Sequence, residues 1–343
     1  MAGMDTIRWG IMGAGKIAHR FAASLANVEG CELAAIAGRS AEKLDAFAAE
    51  FPVPSSRRYA DAVGDGEAAY RRLVNDSDVD AVYLALPHGL HARWAYELLR
   101  TGKAILCEKP ATVSAEEAQL VADTARSTGG LFMEAMKTRF MPARDRVHEV
   151  LASGALGAIT ALTFVHRIDY GEPPSAYLLD PVQGGCLLDL GCYDVNWVCD
   201  LLGDPVEVER VDVEWHAASD GVSRVDWADD VRLTAGGIPV HLDLAGGSPV
   251  YDAHALIECE RGQIEVPLLH RPLSLVVRHV DGAEEHVDAP CPDDFHGEIS
   301  HFCELMRAGA TESPVMPLAA TVRNARVIDA IRSAWPQGDA ARK

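Results

Sequence analysis

The sequence predicts an α/β chain in two parts. Residues 1–135 read as a parallel sheet flanked by helices, and residues 136–343 as an α/β domain with a large, mostly antiparallel open sheet. Three observations carry this. Through residue 135, short apolar runs alternate with helical patterns, as β–α–β units require. Beyond it, strands with strict apolar–polar alternation dominate, the pattern of sheets with one buried face. The length of 343 residues also favours about two domains at roughly 150 residues each.

The elements follow in order. Ile7–Met12 is an apolar strand, and Ile17, Phe21 and Leu25 then repeat at spacing four on one helical face. Residues 33–37 form a second strand, after which Ser40 caps a helix that buries Leu44, Phe47 and Phe51. Residues 79–86 are strongly apolar and stop at Pro87. Trp94, Leu98 and Leu99 mark a helix that Gly102 ends. Residues 104–107 make the next strand, Ser114 with Glu117 a capping box, and residues 131–133 a further strand. In the second part Val211-Asp212-Val213-Glu214-Trp215 and Val240-His241-Leu242-Asp243-Leu244 alternate cleanly between glycine-containing turns. Helical patterns return at 298–306 and 318–331, and the last helix, near 318–334, is a candidate to pack back on the first domain.

Composition narrows the class. A net charge of −20, from 51 acidic and 31 basic residues, opposes binding to nucleic acid or an anionic membrane surface. No apolar run reaches the ~18 residues of a membrane span, and no signal peptide is visible. Eight cysteines lie at 31, 107, 186, 192, 199, 259, 291 and 303 without a CxxC pair. They read as reduced thiols of a cytoplasmic protein.

Gly13-Ala14-Gly15-Lys16-Ile17-Ala18 is G-x-G-x-x-A, placed between a strand and a helix. There Gly13 permits a tight turn, Gly15 lets backbone approach a pyrophosphate, and the helix N-terminus at Lys16 and Ile17 faces the anion. A ligand-free glycine turn is the plain alternative. The first domain therefore reads as a dinucleotide-binding Rossmann domain. Its second strand ends at Ala37-Gly38-Arg39-Ser40, with no acidic residue to accept from a ribose 2′-hydroxyl. Arg39 suits a 2′-phosphate, with Ser40 and Lys43 adding a hydroxyl and a charge, so NADP is expected over NAD. Arg39 could equally be a solvated surface residue.

Leu84-Ala85-Leu86-Pro87-His88-Gly89-Leu90-His91 and Cys107-Glu108-Lys109-Pro110 carry a resemblance. So do the segment from Met133 to Phe140, the run from Gly184 to Tyr193, and Glu312-Ser313-Pro314. With these motifs the chain resembles the glucose–fructose oxidoreductase/inositol dehydrogenase (Gfo/Idh/MocA) family over nearly its whole length. Tyr193 and the Arg39-Ser40 pair are similar to the dihydrodiol dehydrogenase and NADP-dependent xylose dehydrogenase branch. The resemblance implies an oxidoreductase acting on a secondary alcohol or ketone of a sugar, polyol or cyclic diol. It also implies a homodimer or homotetramer formed through the second sheet. Two departures bear on the pocket: an insertion at 62–68, and Lys137 where the branch often carries an aromatic.

On that resemblance Lys109 stabilises a developing alkoxide and Tyr193 shuttles the proton. A nearby ammonium would lower the phenol from its ordinary pKa near 10. Asp189, four residues before Tyr193, would share its face in a helix and orient a substrate hydroxyl, or else cap the helix. The cofactor-binding set extends to Leu86, Pro87, His91, Glu108, Lys109 and Pro110. His91 would lie near the nicotinamide or cap its own helix. Arg139 either binds substrate or makes a salt bridge. His88 and His91 lack further ligands at matching spacing, so no metal is expected. The other histidines carry no signal. Two alternatives stay open: a ketosugar reductase of a biosynthetic pathway, and a non-catalytic dinucleotide-binding regulator.

Overall fold

A computed structural model describes residues 6–61 and 64–336. The insertion expected at 62–68 therefore falls in part, at 62–63, outside the described residues. The chain divides into two compact units. One gathers residues 6–61, 64–112, 116–136 and 292–322, and the other residues 113–115, 137–291 and 323–336.

In the first unit the chain runs β1 (Ile7–Met12), α1 (Lys16–Leu25), β2 (Cys31–Gly38), α2 (Ala41–Glu50), β3 (Arg58–Ala60) and α3 (Glu67–Val74). It continues through β4 (Ala81–Leu84), α4 (His91–Arg100), β5 (Ala104–Glu108), α5 (Ala115–Thr128) and β6 (Phe132–Ala135). All six strands are parallel, in the order β3-β2-β1-β4-β5-β6. That is the doubly wound order whose switch point, between β1 and β4, opens a crevice at the strands' carboxyl ends. β3 has three residues and no apolar run, which is why the sequence pattern did not reveal it. β4 is shorter than expected, because residues 85 and beyond leave the ladder to form the loop toward α4.

Both faces of this sheet are covered, as a parallel sheet demands. On one face Trp9 packs edge-on to Phe21 of α1 and against Phe302, with centroids 5.3 Å apart in each case. Phe302 lies on the helix His296–Ala308, α8, which belongs to this unit although the chain reaches it only after the whole second sheet. Phe21 also stacks on Tyr83 at 3.8 Å. Trp9, Phe21, Tyr83 and Phe302 are fully buried, each contributing about 1.5–3 kcal/mol by area, with aromatic contacts adding to that.

The second unit is built on eight strands: β7 (Ile159–Asp169), β8 (Val206–Ala217), β9 (Arg224–Ala235), β10 (Ile238–Ala245), β11 (Gly247–Cys259), β12 (Gly262–Pro267), β13 (Ser274–His279) and β14 (Glu284–Asp288). Their order is β14-β13-β12-β11-β7-β10-β9-β8, antiparallel except for the β7–β10 pair. Alternation holds in β10, where Val240, Leu242 and Leu244 are buried. In the edge strand β8 only Val211 is buried. Helices α6 (Pro142–Ala152), α7 (Cys192–Leu201) and α9 (Leu318–Ser333) complete the element list. Among the described residues no helix is long and apolar enough to cross a membrane.

Candidate active site

At the first sheet's switch point the glycine loop is pinned by both neighbours. Gly13 N donates to Ala37 O at 2.8 Å, and Ala85 N to Met12 O at 2.9 Å. Gly13 has φ +108, and a Cβ there would lie 2.3 Å from the Ala85 carbonyl oxygen, so no other residue fits. Gly15 is the extended N-cap of α1 and has open space where a side chain would stand. No side chain caps α1 and no acidic residue occupies its first turn. Its leading N–H groups thus face an open site through a residue without a Cβ, an arrangement that fits a dinucleotide pyrophosphate. Lys16 is exposed and Ile17 half-buried at the same end.

Arg39 follows the end of β2. It is exposed and has no hydrogen-bond or ion-pair partner among the described residues. Ser40 spends its hydroxyl on α2, accepting from Lys43 N at 3.3 Å, while the Lys43 side chain is exposed. A guanidinium fork, one hydroxyl and one ammonium therefore stand at one strand end.

The loop after β5 carries Lys109, half-buried, and Pro110, buried. Around it the protein is polar and dry. Glu108 is buried and accepts from the Tyr83 hydroxyl, and its other oxygen accepts from Lys109 N at 3.1 Å. Glu134, on β6, is buried too and accepts from Ala111 N at 2.9 Å. Burial, together with these two carboxylates, pushes the Cys107 thiol well up. The Glu108 carboxylate is thus engaged by Tyr83 and the Lys109 backbone.

His91 lies inside the protein. It is the first residue of α4 but does not cap it, and it is fully buried. Its Nδ1 meets Pro110 O at 2.9 Å and its Nε2 meets Leu86 O at 2.7 Å. No ring nitrogen is left for a cofactor. The imidazole ties the loop after β4, with Leu86 and the half-buried Pro87, to the loop carrying Lys109. Burial, helped by the Lys109 charge, brings its pKa down to about 4 against the pull of both carbonyls.

In the second unit Tyr193 is the second residue of α7 and nearly buried, at 7% exposure. Residues Leu187–Gly191 before it form a π-helical turn, so Asp189 and Tyr193 do not sit on one regular α-helix. Asp189 caps neither segment, and its carboxylate accepts from the Tyr177 hydroxyl at 3.5 Å. Lys137, buried, places its ammonium 5.9 Å from the Tyr193 ring centroid. His166 and His270 stack at 4.9 Å, with centroids 6.1 and 6.0 Å from the same ring. His166 Nδ1 pairs with Asp194 Oδ1 at 3.2 Å, and burial raises the Asp194 carboxyl while His166 opposes the rise.

Arg139 makes the salt bridge. It is buried, with Nε on Asn196 Oδ1 at 2.8 Å and Nη1 on Asp200 Oδ1 at 2.5 Å. Arg144 and His148 share Asp200. Burial works against the Asp200 charge, but Arg144, His148 and Arg139 outweigh it and hold the carboxyl well below the usual range.

The glycine pair before Tyr193 also has a cause. A Cβ on Gly184 would meet Leu178 O at 2.3 Å, and one on Gly185 (φ +91) would meet Asp226 Oδ1 at 1.9 Å. Asp226 enters that gap to accept from Leu187 N at 2.6 Å, anchoring the π-turn. Beside it Cys186 donates to Asp229 Oδ2 at 3.2 Å. Burial and the Asp226 charge push the Asp229 carboxyl well up.

Sequence reasoning missed His166, His270, Asp194 and Glu134. One signal existed: Leu162, Phe164 and His166 share the buried face of β7, and a histidine in that frame must be satisfied inside.

Comparison with known proteins follows the same division. A family model described as the Gfo/Idh/MocA oxidoreductase family, NAD-binding Rossmann fold, matches residues 7–136. One described as the Gfo/Idh/MocA C-terminal domain matches residues 145–265. The trans-1,2-dihydrobenzene-1,2-diol dehydrogenase of Homo sapiens is 31% identical over 350 residues, covering 96% of each chain. The scyllo-inositol 2-dehydrogenase (NADP(+)) of Bacillus subtilis is 30% identical over 335 residues, covering 95% of this chain and 96% of that one. A 3-ketoreductase from Actinomadura kijaniata, solved with NADP and TDP-benzene, matches with a TM-score of 0.84 at 26% identity, over 96% of this chain and 98% of that one.

Proposed function

The chain belongs to the Gfo/Idh/MocA oxidoreductase family, and on that premise we propose that it transfers hydride between NADP and a secondary alcohol or ketone. The substrate class is a sugar, polyol or cyclic diol, as the diol- and inositol-named relatives support. One observation carries the reading: the uncapped α1 terminus behind Gly13 and Gly15 stands with Arg39 at the next strand end, exposed and without a hydrogen-bond or ion-pair partner among the described residues. A pyrophosphate fits the first and a 2′-phosphate the second.

Bound nicotinamide supplies or accepts the hydride. Lys109 Nζ stabilises negative charge on the substrate oxygen, and Tyr193 Oη takes that oxygen's proton in oxidation or returns it in reduction. The Lys137 ammonium lies over the Tyr193 ring, beside the phenol that would carry the proton. His91 acts through others: its buried ring lies between the Leu86 and Pro110 carbonyls, donates to one of them, and supports the backbone from which Lys109 projects. Asp189 orients a substrate hydroxyl.

The resemblance to a ketoreductase favours a second reading, the same chemistry run toward the alcohol on a ketosugar. The chain's eight cysteines are free thiols, which supports a reducing, cytoplasmic setting. Exposed Val250 and Tyr251 on β11 support assembly into a homodimer or homotetramer through the second sheet. The test is a screen of NADP- and NAD-linked turnover, in both directions, across sugars, polyols and trans-diols. Lys109→Met and Tyr193→Phe serve as controls. Turnover that survives both substitutions overturns the assigned roles. Tight NADP binding without turnover on any such substrate favours the regulator instead.

A further inference from the structure

At the amino end of the first sheet, away from the cofactor crevice, two cysteines meet. Cys31 is the first residue of β2 and Cys303 lies on α8, 272 residues later. Their sulfurs are 3.2 Å apart, and both are free thiols. Cys303 is fully buried, whereas Cys31 is partly open to solvent. Of the eight cysteines only Cys31 and Cys291 are not buried.

The surroundings distinguish the two sulfurs. Arg307, one turn beyond Cys303, reaches across the entrance of β2 and donates to Glu29 O at 2.7 Å. Its charge lies beside Cys31. Trp9 Nε1 is a buried donor with no hydrogen-bond acceptor among the described residues. A thiolate on Cys31 would give that indole N–H a partner, which neutral sulfur, a poor acceptor, does not. The Cys303 hydrogen bond comes first among the influences on Cys31. It acts with the Trp9 N–H and Arg307, against burial, to draw the Cys31 thiol down to about 7. The Cys303 thiol is pushed up, first by Cys31 and then by burial. Partial exposure and the neighbouring Arg307 charge mark Cys31 as the nucleophile, with the buried Cys303 as its partner.

We propose that Cys31 and Cys303 form a reversible dithiol–disulfide pair that takes a peroxide as oxidant, with Cys31 attacking and Cys303 resolving. The Cys31 thiolate attacks one peroxide oxygen and the O–O bond breaks. One oxygen leaves as water after taking a proton, and Cys31 becomes a sulfenic acid. Cys303 sulfur then attacks Cys31 sulfur, the S–O bond breaks, and hydroxide leaves with the Cys303 proton as a second water. Two thiols and one peroxide give one disulfide and two waters. The two sulfurs lose two electrons and the peroxide oxygens gain them. A thiol reductant reverses the step by exchange.

The full-length protein is reduced, treated with one equivalent of hydrogen peroxide, alkylated with iodoacetamide and digested without reductant. We expect a single cross-linked peptide pair joining Cys31 to Cys303, two hydrogens lighter than the free peptides and absent after dithiothreitol. In Cys303→Ala the cross-link vanishes and dimedone labels Cys31 instead. At pH 7 the reduced protein should react with iodoacetamide at Cys31 at least tenfold faster than at Cys291. The proposal is overturned if treated wild-type protein keeps both cysteines alkylatable, or carries Cys31 to sulfinic acid beside a Cys303 thiol. Equal alkylation rates at Cys31 and Cys291 also overturn it.

Discussion

Replacing Arg39 by alanine removes an exposed guanidinium with no partner among the described residues. No hydrogen bond or ion pair among the described residues is lost, so the melting temperature should stay within about 1 °C, the usual outcome for a surface change of this kind. Cofactor choice should change. A charge-assisted hydrogen bond to phosphate contributes about 1.5–3 kcal/mol, and about 1.4 kcal/mol is tenfold in affinity. Arg39 needs no prior ion pair broken before it can bind, but its exposure lets salt and water screen it. The expected loss in kcat/KM for NADP is therefore about ten- to a hundredfold. NAD, lacking the 2′-phosphate, should be used as before or slightly better. The local charge matters more because the chain carries a net charge of −20, which repels an anionic cofactor at long range. The assay is initial-rate kinetics of wild type and Arg39→Ala with both cofactors at two ionic strengths. A change below threefold in the NADP/NAD ratio would refute the assignment of Arg39 to the 2′-phosphate.

Other expectations follow from the same geometry. Lys109→Met and Tyr193→Phe should each lower kcat by about a hundredfold or more, while titration of NADPH fluorescence shows binding retained. Gly185→Ala forces Asp226 aside in addition to a left-handed backbone cost of about 1–2 kcal/mol. Thermal denaturation should show a drop of several degrees, and an unchanged melting temperature would contradict the Asp226 anchor. Asp200→Asn leaves Arg139 and Arg144 without their buried counter-charge, a loss of about 3 kcal/mol or more, readable by urea denaturation at pH 7. The folded Asp200 carboxyl lies below its unfolded value, so its contribution is complete above about pH 4 and fades as pH falls further. The stability gap between wild type and Asp200→Asn should therefore narrow steadily as the pH is lowered below about 4. His91→Ala should reduce kcat more than NADP affinity, because the loop that carries Lys109 loses its tie.

The glycine turn was legible because both its demands are local: a strand before, a helix after, and two positions where a side chain would collide or intrude. Arg39 was legible for the same reason, since its environment is the strand end it follows. Tertiary partners were not. Arg139 could not be decided from sequence because Asp200 lies 61 residues away. His91 looked like a ligand-facing histidine, yet its ring nitrogens face two backbone carbonyls, which leave no trace in residue identity. The π-turn at Leu187–Gly191 is fixed by Asp226, 39 residues beyond Leu187. The collar of Lys137, His166 and His270 around Tyr193 draws on elements far apart in the chain, and only the β7 alternation hinted at one of them.

The position of α8 bears on how the molecule is made. Phe302 seals one side of Trp9, but it leaves the ribosome roughly 300 residues later, a delay of roughly 15–60 s at ~5–20 residues per second. Once β6 has emerged, for roughly the last 170 residues of that interval, the nascent parallel sheet is complete in its strands and bare on one flank. A fragment stopped at residue 136 would keep that greasy flank permanently and should be captured by chaperones or precipitate, whereas co-expressing the 292–322 stretch in trans should rescue it.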